Sequence, residues 1–217
     1  MTKRLIVLVT VFCIVFFGVV GTANADYYSD NITLKYGMRN NEVTNMQKDL
    51  KNLGYFSYYP TGYFGSLTYN AVLSFQKDNG LYADGIVGRA TSREIKVDRV
   101  LQTAKQYAGV PYVWGGVSPS GFDCSGFTHY VLLKNNVTVP RSSSAQYTAG
   151  IPVARSQLRP GDLVFFTTYK PGPSHVGIYL GSNKFIHASS GADKVIVSDL
   201  TKSYYAQHYI GARRVIQ

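Results

Sequence analysis

An internal repeat in residues 61–91 limits what the first part of this chain can fold into. The segment Gly62-Tyr63-Phe64-Gly65 recurs at a constant offset as Gly85-Ile86-Val87-Gly88. Each copy has a glycine turn, an apolar pair and then a helix start, which we expect near a Ser or Thr cap. An apolar pattern with helical spacing precedes the first copy: Val43, Met46, Leu50 and Leu53, followed by Gly54. Together these features predict a small bundle of about three helices.

Residues 1–25 are predicted to be a secretory signal peptide that is not part of the fold. Lys3 and Arg4 precede an apolar run over residues 5–20, and Ala23-Asn24-Ala25 supplies the small residues of a cleavage site. The alternative is an uncleaved anchor helix, although the run is shorter than the roughly 20 residues of a membrane span. We therefore expect a secreted, cell-wall-associated protein without a stable membrane anchor after cleavage.

Charge and cysteine content narrow the partners and the chemistry. The chain has 22 basic and 12 acidic residues, a formal net charge of +10. This excess suits a polyanionic partner, and for an exported protein an anionic wall polymer is a better candidate than nucleic acid. Charge kept only for solubility remains an alternative. Cleavage would remove Cys13 and leave Cys124 as the single cysteine, which is then either a buried small residue or a reactive group.

The first unit, residues 26–97, resembles a known module. Three motifs look like those of the helical peptidoglycan-binding domain attached to many bacterial wall enzymes: Val43-x-x-Met46-Gln47-x-x-Leu50-x-x-Leu53-Gly54-Tyr55, Gly62-Tyr63-Phe64-Gly65-x-x-Thr68 and Asp84-Gly85-x-Val87-Gly88-x-x-Thr91. The resemblance implies a targeting module that docks on the glycan or peptide of bacterial peptidoglycan. Tyr63, Tyr69 and Arg89 are candidate ligand contacts, with ordinary surface residues as the alternative.

The second unit, residues 98–217, is predicted to begin with a helix. Asp98 can cap this helix, whose apolar face consists of Val100, Leu101, Ala104, Tyr107 and Ala108. The linker between the units is then nearly absent. We therefore expect the two units to touch rather than to swing on a flexible tether.

Cys124 is the candidate nucleophile of the second unit. Glycines precede it, and Phe127, Tyr130 and Val131 follow it at helical spacing, which places Cys124 at a helix N-terminus. At that position the helix dipole and the free backbone N–H groups stabilise a thiolate and can hold an oxyanion. An inert buried cysteine is the alternative.

A predicted β-hairpin brings two histidines together. Residues 174–180 and 184–188 alternate in the manner of strands and are joined by a Gly-Ser-Asn turn. When Leu180 pairs with Lys184 across this turn, His175 and His187 lie as diagonal neighbours on one sheet face, and Gly177 leaves space between them. A register shifted by one residue would place the two rings on opposite faces.

His175 and His187 can then act as a base for Cys124 and as the group that orients this base. His129 is too close to Cys124 along the helix to fold back onto it, and His208 belongs to no pattern, so neither receives a role. A three-ligand zinc site made of the cysteine and the two hairpin histidines is chemically allowed, but no paired-cysteine spacing supports it. We expect neither a metal nor a cofactor.

The second unit resembles the NlpC family of cell-wall cysteine peptidases, which are compact relatives of papain. The motifs that carry the resemblance are, in chain order, Pro111-Tyr112-Val113-Trp114-Gly115-Gly116, Phe122-Asp123-Cys124-Ser125-Gly126-Phe127, Pro140-Arg141-Ser142-Ser143-Ser144-Ala145-Gln146, Pro160-Gly161-Asp162-Leu163-Val164-Phe165-Phe166, His175-Val176-Gly177-Ile178-Tyr179 and Phe185-Ile186-His187-Ala188. The resemblance implies an α+β fold in which the nucleophile helix packs on an antiparallel sheet. It also implies Cys124 as nucleophile, His175 as general base and His187 as the orienting third residue.

Members of this family typically cleave the bond between the γ-carboxyl group of D-glutamate and the following diamino acid in peptidoglycan stems. By the same resemblance, Tyr112 would line the oxyanion or substrate site, and Asp123 would hold the free amino end of the stem. Ser125, Arg141 and Ser143 would contact the D-glutamate carboxylate. The chemistry agrees, because arginine suits a carboxylate and aspartate an ammonium group. Alternatively, Asp123 is only a helix cap and Arg141 only a surface charge.

The combined hypothesis is a secreted, monomeric peptidoglycan endopeptidase with its own wall-binding module. A non-catalytic wall-binding protein is one rival, and we would expect it to lack the thiol or a histidine. Another papain-like acyl transfer, such as muramyl–alanine amide hydrolysis or transpeptidation, is a second rival. Trp114 is expected in the core, and Pro160-Gly161-Asp162 is expected to be a structural turn.

Overall fold

The computed structural model describes residues 32–217, so the predicted signal peptide lies outside the described residues. The first unit contains helices α1 (Asn41–Asn52) and α2 (Ser66–Asp78) and the beginning of α3 (Arg89–Gln106). These helices enclose a core formed mainly by Leu34, Val43, Met46, Leu50, Phe64, Val72, Phe75 and Ile95. The predicted bundle of three helices is therefore confirmed. Within residues 32–217, no helix has the length and apolar character needed to cross a membrane.

A buried glutamine holds the turn of the first repeat. The Nε2 group of Gln47 donates to the carbonyl oxygen of Tyr63 at 2.9 Å and to Thr68 Oγ1 at 2.7 Å. Its Oε1 accepts from the backbone N–H of Gly62 at 3.0 Å. One side chain thus satisfies the polar groups of a turn that packs against the core, where an unpaired group would be costly.

The second repeat uses the same device. Gln76 Nε2 donates to the carbonyl oxygen of Ile86 at 2.9 Å and to Thr91 Oγ1 at 3.1 Å, and its Oε1 accepts from Gly85 N–H at 2.8 Å. The predicted Ser or Thr caps are wrong, because Gly65 and Gly88 are the N-caps of α2 and α3 and neither helix has a side-chain cap. The threonine hydroxyls instead satisfy the buried glutamine amides.

Helix α3 runs through the point where the second unit was expected to begin. It starts at Arg89, with Gly88 as its N-cap, so the predicted helix start at Asp98 is wrong. No glycine, proline or other helix-breaking residue interrupts residues 89–106, and the helix therefore continues. Ile95 packs in the first core, and the second half of α3 supplies the second core with Val97, Val100, Leu101 and Ala104.

The two units also touch through side chains of α1 and α3. Arg99 Nη1 lies 2.9 Å from Asp49 Oδ2 in an ion pair whose aspartate is almost fully buried. Beside it, Gln102 Nε2 donates to the carbonyl oxygen of Asn52 at 2.8 Å. The expected contact between the units is therefore present, and a continuous helix takes the place of a linker.

The second unit is an antiparallel sheet covered by a helix. The short pair β1 (Val117–Ser118) and β2 (Gly121–Phe122) precedes α4 (Cys124–Lys134) and α5 (Ser143–Gln146). The remaining elements are β3 (Ile151–Val153), β4 (Leu163–Phe166), β5 (His175–Gly181), β6 (Lys184–Ser189), β7 (Lys194–Asp199), α6 (Ser203–His208) and β8 (Tyr209–Arg214). Within residues 32–217, β3 to β8 form a six-stranded sheet in the order β3-β8-β4-β5-β6-β7. The α+β prediction is confirmed.

The core of the second unit joins α4 to this sheet. Phe127 and Val131 of α4 are fully buried against Val176 and Ile178 of β5. The expected structural turn lies just before β4, where buried Asp162 accepts two bonds of 2.8 Å from the Arg214 guanidinium. The nucleophile helix therefore packs on the sheet as predicted, with its N-terminus beside the start of β5.

Near the histidines the hairpin β5–β6 has the predicted register, but the predicted pairing of Leu180 with Lys184 is wrong. Lys184 pairs with Gly181 instead, and a bulge between Tyr179 and Gly181 absorbs the shift of one residue. Ile178 pairs with Ile186 and Tyr179 with Phe185, and the turn residues Ser182 and Asn183 both have positive φ angles, 48° and 59°. Two positive φ angles are typical of the type I′ turn that suits a two-residue hairpin loop. The pairing of Ile178 with Ile186 places the positions of the two histidines on one face of the sheet.

Candidate active site

Cys124 is the first residue of α4, as the sequence predicts. Asp123 is the N-cap, and its Oδ1 accepts a hydrogen bond of 2.6 Å from the backbone N–H of Gly126. The Cys124 thiol faces the start of β5, where Sγ lies 3.9 Å from the carbonyl oxygen of Ser174. The helix cap and the strand together fix the position of the sulfur.

Burial favours the neutral thiol form of Cys124. Desolvation, followed by the negative charge of Asp123, raises the pKa of Cys124 to about 11. The backbone N–H groups of Val176, Ser125 and Cys124 itself act in the opposite direction but are weaker. The N–H groups at the helix start therefore favour the thiolate, in the predicted direction, but the loss of water outweighs them and the net pKa is raised.

The two hairpin histidines form a hydrogen-bonded pair. His175 Nε2 and His187 Nδ1 are 2.7 Å apart, and their rings are nearly perpendicular. Burial lowers the pKa of His175 to about 4. Burial, followed by repulsion from His175, also lowers the pKa of His187 well below its usual value. Both imidazoles are therefore neutral at physiological pH, so one ring nitrogen of each carries a proton and the other can accept one.

The far side of His187 contacts two hydroxyl groups that the sequence analysis missed. Its Nε2 lies 3.0 Å from Ser198 Oγ of β7 and 3.3 Å from the hydroxyl of Tyr205 in α6. Phe185 stacks on the same ring at a centroid distance of 4.7 Å. No local pattern marks Ser198 or Tyr205, because both reach His187 only through the packing of β7 and α6 against the hairpin.

Asp123 and Arg141 form an ion pair. Arg141 Nη1 lies 3.0 Å from Asp123 Oδ1, and Nη2 lies 2.6 Å from Oδ2. Arg141 also donates to Ser125 Oγ at 2.9 Å, and Ser143 Oγ donates to the carbonyl oxygen of Pro173 at 2.8 Å. The two residues expected to bind opposite charges of a substrate therefore neutralise each other here.

One cavity of about 510 Å³ brings together all of the site residues predicted for the second unit, whereas Tyr63, Tyr69 and Arg89 of the first unit lie outside it. Its lining includes Tyr112, Asp123, Cys124, Ser125, Arg141, Ser143, His175 and His187. We call this cavity the cleft. The remaining lining residues have no site role predicted from the sequence and are rich in hydroxyl and aromatic groups: Trp114, Ser142, Ser144, Thr168, Tyr169, Lys170, Ser189, Ser190, Gly191, Tyr204 and Tyr205.

Other expected positions lie outside the reacting groups. Trp114 is 71% exposed on the rim of the cleft, where its ring meets that of Tyr169 edge to face, so the prediction of a core tryptophan is wrong. This contact joins two surface loops, which leave the outer face of the indole to solvent.

His129 Nδ1 is hydrogen-bonded to the carbonyl oxygen of Val139 at 2.8 Å. Among residues 32–217, no group of three or more His, Cys, Asp or Glu could hold a metal ion, so the zinc alternative lacks a ligand cluster there.

A thiol at a helix N-terminus beside a sheet-borne imidazole pair is a papain-like arrangement. Residues 109–214 match the NlpC/P60 family, and residues 39–95 match the putative peptidoglycan binding domain. The chain belongs to the NlpC/P60 family and carries a peptidoglycan-binding domain ahead of the family domain.

Three curated relatives are similar over about half of this chain. A probable peptidoglycan endopeptidase, LytE of Bacillus subtilis, is 50% identical over 120 residues, 55% of this chain and 35% of the relative. The gamma-DL-glutamyl hydrolase of Bacillus subtilis is 47% identical over 53% of this chain and 28% of its own. The gamma-D-glutamyl-L-lysine dipeptidyl-peptidase of Bacillus cereus is 38% identical over 55% and 36%. The chain therefore spans about a third of the length of the curated relatives it matches.

Solved structures agree with the fold. An NlpC/P60 family protein from Bacillus cereus has 37% identity and a TM-score of 0.53 over 56% of this chain and 40% of its own. The P60 domain of an antigen from M. avium subspecies paratuberculosis has 33% identity and a TM-score of 0.51. That match covers 58% of this chain and 98% of the P60 domain, so the second unit corresponds to a complete domain of the family.

Proposed function

We propose that this chain is a secreted peptidoglycan endopeptidase that cleaves stem peptides at the bond between D-glutamate and the diamino acid. The observation that carries the proposal is the joint placement of the Cys124 thiol and the His175–His187 pair in the cleft. Support for the substrate comes from the relatives, one named a peptidoglycan endopeptidase and two named for γ-glutamyl bonds. The peptidoglycan-binding domain points to the same polymer.

The proposed chemistry begins with a proton transfer. His175 Nε2 is engaged with His187, so His175 Nδ1 is the nitrogen left to take the proton from Cys124 Sγ. The sulfur attacks the γ-carbonyl carbon of D-glutamate, and the backbone N–H groups at the start of α4 and the Tyr112 hydroxyl stabilise the oxyanion. His175 then gives its proton to the departing amine of the diamino acid, which leaves a thioester on Cys124.

Water completes the reaction. His175 takes a proton from water as the water oxygen attacks the thioester carbonyl carbon, and the proton passes to Cys124 as the carbon–sulfur bond breaks. The products are a free γ-carboxyl group and the resting thiol. His187 keeps the His175 ring in the orientation that this cycle requires and stabilises its cation.

The proposed substrate contacts must compete with the resting ion pair. Arg141 offers its guanidinium to the D-glutamate carboxylate, helped by Ser125 and Ser143, while Asp123 offers its carboxylate to the free amino end. Because Asp123 and Arg141 already bond each other, the substrate has to share or replace their contacts. A substrate that carries both an ammonium and a carboxylate group can compensate both residues together.

The proposed division of the chain is a signal peptide over residues 1–25, a wall-docking domain over 26–97 and a peptidase domain over 98–217. The docking domain would raise the local concentration of the enzyme on an insoluble polymer without taking part in the chemistry. We expect the protein to act as a monomer and to need neither a metal nor a cofactor.

One relative favours a second candidate substrate. The gamma-DL-glutamyl hydrolase is 47% identical to this chain, and the net charge of +10 would suit a polyanionic γ-glutamyl polymer. Both candidates present a γ-glutamyl acyl group to the thiol. They differ in the leaving amine, which belongs to a diamino acid in the stem peptide and to another glutamate in the polymer.

The deciding experiment offers both substrates to the purified protein. Soluble stem peptides containing L-lysine or meso-diaminopimelate, purified walls and poly-γ-glutamate are incubated in parallel with the protein and with a Cys124→Ser variant. The proposal expects release of a new diamino acid amino terminus from stems and walls, dependent on Cys124, as identified by mass spectrometry. Cleavage of poly-γ-glutamate alone would favour the second substrate, and cleavage of the muramyl–alanine bond would favour the amidase.

A further inference from the structure

We propose that Ser198 and Tyr205 are positioning residues that select the proton arrangement of the histidine pair. Their hydroxyl groups would hold His187 in the tautomer that leaves His175 able to accept a proton on its cleft-facing nitrogen. The effect on the ring of His187 follows from the contacts alone. Its consequence for turnover rests on the proposed function.

The contacts of His187 lie inside the protein. His187 is 1% exposed and Ser198 is 8% exposed, so water does not compete freely for their polar atoms. His187 Nε2 has Ser198 Oγ at 3.0 Å and the Tyr205 hydroxyl at 3.3 Å. The Ser198 hydroxyl donates its own proton toward Tyr205 at 3.4 Å. With that proton on the Tyr205 side, the lone pairs of Ser198 can accept from His187 at the shorter distance of 3.0 Å. In this proposed arrangement Nε2 is the donating nitrogen.

This donation fixes the rest of the pair. A neutral imidazole with a proton on Nε2 has a lone pair on Nδ1, and His187 Nδ1 lies 2.7 Å from His175 Nε2. His175 must then donate through its Nε2, which leaves a lone pair on its Nδ1. That lone pair is the one that the proposed mechanism needs for the thiol proton. In the opposite tautomer both protons shift, and His175 Nδ1 would carry a hydrogen and could accept nothing.

Packing holds the Tyr205 hydroxyl in place. The Tyr205 ring meets Phe185 at a centroid distance of 4.9 Å and Phe166 at 5.4 Å, both edge to face. Phe185 in turn stacks on the imidazole of His187. The hydroxyl pair and the imidazole are thus parts of one aromatic cluster, and α6 contributes to the site through a residue that need not touch the scissile bond.

The test compares Ser198→Ala with Ser198→Thr, which restores a hydroxyl on a residue well suited to a strand. Ser198 is the informative position because it lies behind His187 and is not among the residues that line the cleft. Tyr179→Phe is the matched control, since it removes a buried hydroxyl from the same aromatic cluster, one that accepts only from the backbone of Asn183 in the hairpin turn. Each protein is assayed with a soluble stem peptide and examined by NMR with isotope-labelled histidine.

The expected results separate positioning from stability. Ser198→Ala should lower kcat about tenfold, roughly the effect of one hydrogen bond, with little change in KM. Its His187 ring nitrogens should lose the clear pattern of a protonated Nε2 and a bare Nδ1. Ser198→Thr should recover both properties, and Tyr179→Phe should change neither. Tyr205→Phe should act in the same direction as Ser198→Ala but more weakly, because its contact is longer.

Two results would overturn the proposal. One is an unchanged Nε2-protonated tautomer of His187 in Ser198→Ala, and the other is a wild-type His187 that carries its proton on Nδ1. The NMR measurement needs no turnover, so it decides the proposal even if no stem peptide is cleaved. If the wild-type protein is inactive on stems while its His187 tautomer depends on Ser198, the proposed function fails and this inference stands.

Discussion

At the scale of single residues, burial decides the resting charge of the reacting groups. The same loss of water raises the pKa of Cys124 and lowers that of His175, so each group alone prefers its neutral form. Proton transfer between them creates both charges together. Their mutual attraction at short range, and the dipoles of the α4 N-terminus, then offset part of the desolvation that each charge would meet alone.

The raised thiol pKa predicts how Cys124 reacts with alkylating agents. The thiolate is the reactive form, and burial raises the pKa of Cys124 to about 11. The alkylation rate should therefore keep rising as the pH is raised past roughly 8.5, the pKa of free cysteine. Iodoacetamide rates, followed by mass spectrometry of the Cys124 peptide and compared with free cysteine, measure this. Circular dichroism at each pH confirms that the fold persists. Fast alkylation that is already constant below pH 7 would show a resting ion pair instead.

The two histidines should respond differently to replacement by glutamine. Glutamine can accept and donate in place of the two ring nitrogens of His187, so His187→Gln should retain measurable acylation of Cys124. His175→Gln removes the titrating ring assigned to the thiol proton and should cost about 10²–10⁴-fold or more. Single-turnover acylation with a stem peptide provides the measurement. Equal rates for the two variants would mean that the roles are shared or reversed.

At the scale of elements, the hairpin β5–β6 needs a glycine between its histidines. A Cβ atom at Gly177 would lie 2.7 Å from Phe185 Cδ2, 2.9 Å from the carbonyl oxygen of Ile186 and 3.0 Å from His187 Cβ. All three distances are shorter than ordinary contacts, and one of them is to backbone. The absence of a side chain at Gly177 therefore allows the imidazoles to approach each other.

Gly177→Ala should weaken both the fold and the histidine pair. Overpacking of this kind typically lowers the free energy of unfolding by about 1–3 kcal/mol. A shifted His187 would also lower kcat. Urea unfolding and stem-peptide kinetics test the two effects. Gly191→Ala is the stability control, since a Cβ atom there would come no closer than 4.0 Å to a neighbour. A Gly177→Ala protein with unchanged stability would contradict the close packing at this site.

The glutamine of each repeat should be as important to the first unit as its apolar core. Gln76→Met keeps the side-chain volume but leaves the N–H of Gly85 and the carbonyl oxygen of Ile86 without their glutamine partner. A buried polar group that loses its hydrogen-bond partner lowers the free energy of unfolding by about 1–3 kcal/mol. Chemical unfolding monitored by tyrosine fluorescence should show this loss. Gln102→Met, which gives up one exposed bond to Asn52, is the matched control and should change little.

At the scale of the whole molecule, α3 connects the first unit to the second without forming part of the cleft. Every residue that lines the cleft lies between Tyr112 and Tyr205, so the first unit supplies none of its walls. A cut at residue 97 would nevertheless divide α3, whose two halves belong to different cores. The two units can be separated in function only if the whole helix is kept.

A truncated chain that starts at Gly88 tests the docking role. It retains all of α3, and we expect it to cleave a soluble stem peptide with an unchanged kcat/KM while losing activity on intact walls. Circular dichroism and alkylation of Cys124 confirm that the truncated protein is folded, and wall sedimentation measures its binding. Equal activity of the truncated and full chains on walls would show that docking by the first unit does not limit the reaction.

The amino-acid sequence by itself determined the features that depend on local periodicity. A strand places alternate residues on one face, so the pairing around the Gly-Ser-Asn turn predicted the shared face of His175 and His187. The bulge between Tyr179 and Gly181 that keeps this register in the structure was not predicted. The start of α4 at Cys124 followed from the glycines before it and the apolar spacing after it.

Tertiary structure alone decided the features that depend on which distant segments meet. Desolvation of Cys124, the ion pair of Asp123 with Arg141 and the hydroxyl groups behind His187 all arise from contacts between elements far apart in the chain. The sharing of α3 between two cores was decided in the same way, because it depends on which distant segments pack against each half of the helix. Burial changes the free energy of a charge or a polar group through all of its neighbours at once, and no short stretch of sequence contains those neighbours.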